Sequence, residues 1–504
     1  MSIPGIDAGN SRFKCAVPDI AGQPRLVTNR FGESFTPSAV YFAPDGSIIV
    51  GTEALNAGFV DPSRLVVNWK RDMGTTKPLY VGDDGTEYAA MDILAILLKD
   101  AKDNIEAKTG EVVNEAVVCV PANYNDAQKQ QTKDAGAEAG IKVILLPHEP
   151  TAAALGNDLH KRKNCTALVY DLGGGTFDVS IVRSRGGVCD IIATGGEPAI
   201  GGRDFNDRVA DKILAEFESK HGFRPSQEND PVFHQEMAQR IEQAKIALSA
   251  QPQTSTVVFC RGKQLQMPIT RSQFDSWVMD LVEETMIRTQ QTVRDAGLTF
   301  AEIDEIYPVG GGSTMPIVVE LLEKLTGKKV SRRCEPHSAA ALGAVLAGRI
   351  EYERQGRVYT SGSVALPPPG VILHDILSHS IGVMALNEDN QEVCAPILPK
   401  STPIPSIQTK LFKLSEPNQT AATIQILQGE DGQRAGDCLV LGHFDLNDLP
   451  PRPDVIGRIE VTFSLDSSGL LSAKARDNAS GATAELQIDY EVNSGSGTVA
   501  RTAA

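Results

Sequence analysis

Two stretches of the chain share one plan. "IDAGNSRFKCAV" (6–17) and "YDLGGGTFDVSI" (170–181) each run from an apolar or aromatic residue into an aspartate, through a glycine turn and back into apolar residues. Carboxylates at the tips of two hairpins, Asp7 and Asp171, repel each other unless a cation lies between them. Mg²⁺ takes oxygen ligands and water and is usually held by few protein groups together with phosphates. Glycines let backbone N–H groups approach phosphate oxygens, a role open to Gly173, Gly174 and Gly175 in the second loop. The first loop departs, with Asn10, Ser11 and Arg12 following Gly9. It is either a working phosphate loop with amide and hydroxyl donors or a decayed one. Gly201-Gly202 and Gly310-Gly311 offer two more close-approach turns. Neither G-x-x-x-x-G-K-[ST] nor G-x-G-x-x-G is present, so the P-loop and dinucleotide fingerprints are unsupported. Singly each feature is weak, since a glycine triplet is more often a plain turn. Their combination carries the reading of a Mg-nucleotide site.

Alternating strand-like and helix-like patterns must position these loops. "EAVVCVP" (115–121) and "KVILLP" (142–147) read as buried strands stopped by proline. Residues 125–140 between them read as a helix with Asn125 or Asp126 at its N-cap and Gly140 past its end. A helix is expected from Thr151, and strand, glycine turn and strand over 166–182. Residues 230–249 and 272–297 read as long amphipathic helices, and 305–327 as strand, glycine turn and helix. This α/β alternation, with its repeated aspartate–glycine hairpin, predicts two similar halves. At "SGSVALPPPGVILHD" (361–375) the texture changes. Val371, Ile372 and Leu373 fit either a linker that docks in one state and is released in another, or a strand entering the next domain. Beyond it, short alternating runs separated by "DSSG" and "NASG" predict an all-β sandwich of about 110 residues. The small polar tail from Glu491 is expected to be disordered.

The chain has 504 residues, 41% hydrophobic and 22% charged, with a formal charge of −16. Globular cores are expected; a nucleic-acid or anionic-membrane surface is not. Neither a membrane span nor a signal peptide is expected. Eight scattered cysteines form no C-x-x-C pair and fit a reducing cytoplasm. "HEPTA" (148–152) is not H-E-x-x-H and gives no metal reading.

The chain resembles the 70-kilodalton heat-shock chaperone family, of the bacterial DnaK type. The matching stretches include "NWKRDMG" (68–74), "AVVCVPANYNDAQKQQTKDAG" (116–136), "HEPTAAALG" (148–156), "YDLGGGTFDVSI", "IGGRDFN" (200–206), "IEQAKIALS" (241–249), "VGGGSTMP" (309–316), "VILHDILSHSIGV" (371–383) and "NQTAATIQILQGE" (418–430). The resemblance implies an α/β fold, a two-lobed actin-like ATPase domain over 1–362, followed by an interdomain linker (363–375), an all-β sandwich that binds peptides (376–490) and the tail (491–504). It implies an ATP-dependent chaperone with ATP/ADP and Mg²⁺ as cofactors. It also implies unfolded or extended polypeptides as clients, a J-domain co-chaperone and a nucleotide exchange factor as partners, a cytoplasmic location and a monomeric state.

By position, Asp7 and Asp171 match residues that hold Mg²⁺, largely through water, and Glu149 matches an acid that places that shell. Lys70 matches a lysine beside the γ-phosphate and attacking water, and Thr176 a hydroxyl near the same phosphate. Gly9, Asn10, Ser11, Gly173, Gly174, Gly175 and Gly202 match the phosphate loops. Glu242, Lys245, Ser249, Gly310 and Gly311 match adenosine contacts. Pro121 and Lys129 match a proline switch and its basic relay, and Val371, Ile372, Leu373 and Asp375 the docking linker. Val383, Ala385, Leu386, Phe412, Ser415, Ala422 and Ile424 match positions around the peptide cleft. Without the resemblance, Lys70 would read as a solvated surface lysine, and Glu242 with Lys245 as an exposed helix face.

The chain also departs from the family. Thr314 and His337 stand where an arginine and an aspartate flank the adenine, and Leu145 and His148 where an arginine and an asparagine meet the J-domain. The helical lid is expected to be absent, which predicts fast peptide exchange dominated by the off-rate. Two other readings stand beside the chaperone: a non-catalytic, nucleotide-stabilised holdase or exchange-factor-like relative, and a sugar-kinase-like or filament-forming relative of the same fold.

Overall fold

The computed structural model describes residues 3–361, 364–365, 370–453 and 458–487. The three prolines of the linker and the tail from Glu491 lie outside these residues.

Two sheets with the same plan carry the two quoted hairpins. In the first, Gly5–Ala8 pairs antiparallel with Arg12–Pro18 and parallel with Glu115–Cys119; the strands Lys142–Leu145 and Pro24–Val27 flank them. In the second, Asn164–Leu172 pairs antiparallel with Phe177–Arg185 and parallel with Glu305–Val309, and Val188–Glu197 continues the sheet. The central strands are buried on nearly every residue, as runs such as "AVVC" and "ALVYDL" require when both faces are covered. Each hairpin's aspartate therefore stands at the end of a buried strand whose position is set by core packing.

The helices follow the expected signals. Asp126–Glu138 starts from an Asn125 N-cap with a capping box to Gln128, and Gly140 follows in the left-handed region. Pro231–Ala250 and Arg271–Asp295 pack with Gly202–His221 over the second sheet around Phe205, Phe217, Phe233 and Phe274. Ala90–Thr109 packs on the first sheet. The helix expected from Thr151 begins two residues earlier, at Glu149, because Pro150 suits a first-turn position. Glu149–Gly156 crosses Ala339–Arg354 between the two sheets. A Cβ on Gly343 would lie 1.6 Å from the Ala152 carbonyl oxygen, and one on Gly156 2.1 Å from that of Ala339. Only glycine permits this approach.

Beyond residue 376 two four-stranded antiparallel sheets enclose one core. One runs Glu392–Leu398, Ile381–Leu386, Ala422–Gln428, Leu439–Leu446; the other Ser406–Phe412, Ile459–Leu465, Leu471–Asp477, Thr483–Gln487. The second gives the clean alternation of a half-buried strand. The apolar segment after the prolines forms the strand Ile372–Ile376, paired parallel with Val188–Asp190 of the second sheet and antiparallel with Pro403–Ile404. The two sequence alternatives thus merge: the segment is a strand, and it lies docked on the α/β part.

Candidate functional site

Every residue expected to meet nucleotide lies on the wall of one cavity of about 900 Å³ between the halves: Asp7 to Ser11 (Ala8 apart), Lys70, Glu149, Asp171, Gly173 to Thr176, Gly202, Glu242, Lys245, Ser249, Gly310 and Gly311. Pro121 lines it too.

The hairpin register explains how the charges are arranged. Asp7 stands opposite Lys14, and Asp171 opposite Asp178, the same spacing in both hairpins. In the first, Lys14 Nζ lies 3.0 Å from Asp7 Oδ2, both side chains about one-tenth exposed. In the second the partner is another carboxylate. Asp178 Oδ2 accepts from the Thr176 hydroxyl at 3.2 Å, while its Oδ1 is buried with no hydrogen-bond partner among the described residues. Burial, then the charge of Glu149, pushes Asp178 up to about 7. Burial and the charges of Glu149, Asp178 and Asp7 push Asp171 well above the usual carboxylate range. Burial raises Glu149 as well, against the attraction of Lys70. Lys70 Nζ sits 2.6 Å from Glu149 Oε1; burial disfavours its charge, but Glu149 outweighs that and holds it protonated.

Four carboxylates thus converge on two lysines, leaving excess negative charge that a bound cation would relieve. Among the described residues no group of three or more His, Cys, Asp or Glu side chains is placed to hold a metal ion. A Mg²⁺ at this site would draw its remaining ligands from water and phosphate. The residues fit a Mg-polyphosphate on that ground.

The glycines have a second role. A Cβ on Gly174 would fall 2.1 Å from Ser11 Oγ, one on Gly175 3.0 Å from Asn10 Nδ2, and one on Gly201 2.5 Å from the Gly175 carbonyl carbon. The two hairpin loops touch each other and the loop before helix Gly202–His221 because these positions lack side chains. Asn10 ties the first loop to the Lys70 segment: its Nδ2 donates to Asn68 Oδ1 at 3.1 Å, and its Oδ1 accepts from Lys70 N at 3.3 Å. Arg12 lies over the Phe35 ring, 4.6 Å from its centroid. Arg71 crosses the cavity, donating to Gly175 O at 2.9 Å and pairing with Asp204 at 2.7 Å.

At the far end Lys245 Nζ pairs with Glu242 at 2.7 Å and donates to Gly202 O at 3.2 Å. Gly310 adopts φ +77°, and a Cβ there would lie 2.5 Å from Leu172 O. His337 faces Gly311; burial, then Arg12 and Lys14, lower it to about 4, so it is neutral near pH 7. Lys14, Arg71, Asp178 and Asp204 escaped the sequence reading. The first and third were within reach, since each lies seven positions after its hairpin's aspartate.

A family model described as Hsp70 protein matches residues 3–502. The chain belongs to the Hsp70 family. Hsp70 proteins bind ATP or ADP with Mg²⁺, hydrolyse ATP, and take unfolded polypeptides and co-chaperones as partners.

In this Hsp70 chain the expected coupling positions divide between the docked strand, which carries Ile372, Leu373 and Asp375 with Val371 just before it, the nucleotide cavity, which Pro121 lines, and helix Asp126–Glu138, which carries Lys129. Asp375 is buried, accepts from the Thr151 hydroxyl and from His148 N at 3.3 Å, and lies 3.6 Å from His148 Nδ1. Burial lowers His148 below the usual imidazole range despite Asp375. Val371 is buried and Leu373 packs beside Leu145 and Leu155, while Ile372 is 55% exposed. Lys129, buried on helix Asp126–Glu138, donates to Gly469 O at 3.5 Å, and Lys133 pairs with Asp466 at 3.1 Å. The "DSSG" turn of the sandwich is therefore its contact with that helix. The expected cleft residues divide. Val383 and Ile424 are buried in the sandwich core, Phe412 and Ala422 pack partly against it, Ala385 is half-buried, and Leu386 and Ser415 are exposed.

Proposed function

We propose that this chain is an ATP-dependent molecular chaperone that binds extended apolar segments of unfolded proteins, with ATP binding and hydrolysis setting peptide affinity through the linker. In this reading residues 1–362 form an actin-like nucleotide-binding domain, 363–375 the linker and 376–490 the peptide-binding sandwich. The observation that carries it is the convergence of Asp7, Lys70, Glu149, Asp171 and the glycine loops on one cavity, with the linker strand docked on the same α/β part.

Mg²⁺, when bound, supplies charge neutralisation for the phosphates. Asp7 and Asp171 would hold the ion, largely through water, and Glu149 would help to place it. Lys70, held in place by Glu149, positions the attacking water and meets the developing charge on the phosphoryl oxygens. Thr176 presents its hydroxyl to the terminal phosphate. Glu242, Lys245, Ser249, Gly310 and Gly311 hold the nucleoside, and His337 presents a neutral imidazole near it. Pro121, Lys129 and Asp375 transmit the state of the site to Val371, Ile372 and Leu373. Val383, Ala385, Leu386, Phe412, Ser415, Ala422 and Ile424 shape the peptide cleft on release of the sandwich. J-domain co-chaperones and a nucleotide exchange factor act as partners of a monomer. Eight unpaired cysteines support a reducing compartment.

Single-turnover ATP hydrolysis, with and without an apolar peptide, tests this reading. Peptide-stimulated turnover that falls about a hundredfold or more in Lys70→Ala is expected. Turnover unaffected by that substitution, or identical peptide dissociation rates in ATP and ADP, overturns it.

A further inference from the structure

We propose that the basic groove at one end of the second sheet, beside the linker strand, docks an acidic segment of a partner protein. This goes beyond the nucleotide and peptide sites and depends on neither.

The groove starts from "HKRK" (160–163), a basic run in a chain whose formal charge is −16. The run precedes strand Asn164–Leu172, and the neighbouring strand ends on Arg185, directly opposite Asn164. A turn at Gly186 and Gly187, both in the left-handed region at φ +61° and +88°, then leads into Val188. These segments line an open groove of about 490 Å³ whose cationic lining is Lys161, Arg162, Lys163 and Arg185, with no carboxylate; burial lowers His160, which also lines it, below the usual imidazole range. A second cavity, of about 530 Å³, shares His160, Lys161 and Gly187 with it and continues to Arg349 and Val371. Its one carboxylate, Asp158, is already held by Lys161 at 2.7 Å. Arg162 pairs with Glu305 at 2.9 Å. Lys163 and Arg185 are exposed and have no carboxylate partner among the described residues.

Scattered surface lysines need no explanation, but here Lys163 and Arg185, left over after Asp158 and Glu305 have taken Lys161 and Arg162, stand side by side in one groove on a protein of the opposite net charge. Charge complementarity fixes the chemistry of its occupant as anionic. The other features point to an acidic polypeptide in particular. Strand Ile372–Ile376 pairs with Val188–Asp190 on one side, yet on the other meets Pro403–Ile404 only at Asp375 and Ile376. Ile372 is left exposed at that edge, two strands and roughly 10 Å from Arg185. An extended segment can set its carboxylates on Lys163 and Arg185 and an apolar residue against Ile372. A long nucleic acid would meet the repulsion of the whole molecule. Because the groove reaches Val371, its occupant senses whether the linker strand is docked.

The test is fluorescence anisotropy of the full chain with a labelled peptide of alternating Glu and Asp interrupted by leucine, at about 50 and about 200 mM salt. Expected are saturable binding that weakens several-fold at the higher salt, no binding of the Gln/Asn counterpart, and at least a tenfold loss in K163E/R185E. Both sites are exposed, so thermal unfolding should be unchanged; Lys163→Gln with Arg185→Gln, which adds no negative charge, should show an intermediate loss. Equal affinity of the acidic and neutral peptides, or indifference to both double variants, overturns the proposal. So does equally tight binding of single-stranded DNA or of phosphatidylserine vesicles through the same two residues.

Discussion

At the residue scale, the site is governed by what stands opposite each hairpin aspartate. Lys14 neutralises Asp7 within the protein, whereas Asp178 aggravates Asp171. Removing one partner of a buried ion pair leaves an uncompensated charge and costs about 3–5 kcal/mol. Lys14→Met should therefore destabilise the nucleotide-free protein by about that amount in chemical denaturation, and adding Asp7→Asn should recover most of it. Additive losses in the double variant would show that the two side chains do not interact. Asp178 carries a pH signature. Its folded-state pKa is raised from 3.8 to about 7, so between those values the folded state holds a proton the unfolded chain has released. Stability must then fall as pH rises through that window, by at most about 1.4 kcal/mol per pH unit, and level off above it. Asp178→Asn should make this slope shallower in urea melts from pH 4.5 to 7.5, leaving the part that Asp171 and Glu149 contribute with the same sign.

At the scale of elements, the linker strand is held by few backbone pairs and one buried carboxylate. Asp375→Ala would leave the His148 N–H and the Thr151 hydroxyl without their acceptor, at about 1–3 kcal/mol. The population with strand Ile372–Ile376 released should rise roughly 5- to 150-fold, read as faster hydrogen exchange at Ile372–His374 and faster proteolysis after Val371. Unchanged exchange would assign the docking to apolar packing of Val371 and Leu373 instead. Most elements were legible in the sequence because their signals are local: Asn125 and Gln128 form a capping box, Pro231 opens a helix, and "ALVYDL" is buried on both faces. The start of the helix at Glu149 was missed by two residues because apolar periodicity begins only at Ala152, whereas Pro150 already permits helix.

At the scale of the whole molecule, the sandwich rests on the α/β part through its "DSSG" turn. The Lys133–Asp466 pair is half-exposed and worth about 0.2–1 kcal/mol, so it biases docking without locking it. Lys133→Glu should shift the docked fraction by up to about fivefold, seen in small-angle scattering, and the swapped pair Lys133→Glu with Asp466→Lys should restore it. A swap that fails to restore it would leave Lys129 and Gly469 as the contact that matters. A weak polar contact of this kind suits the opening and closing of this interface that the proposed function requires.

The family is legible in the residues alone. Two aspartate–glycine hairpins, the order of the motifs and the apolar linker mark the Hsp70 pattern, because glycine, proline, capping residues and apolar periodicity act over a few neighbouring positions. Which charges meet is set by the folded arrangement of the strands and loops. That Lys14 faces Asp7 while Asp178 faces Asp171 depends on hairpin register, whereas that Asn10 braces Lys70 and that the 173–175 glycines let the two loops touch depends on contacts between residues far apart in the chain. Electrostatics and close packing act through space, and no local pattern encodes the distances over which they act.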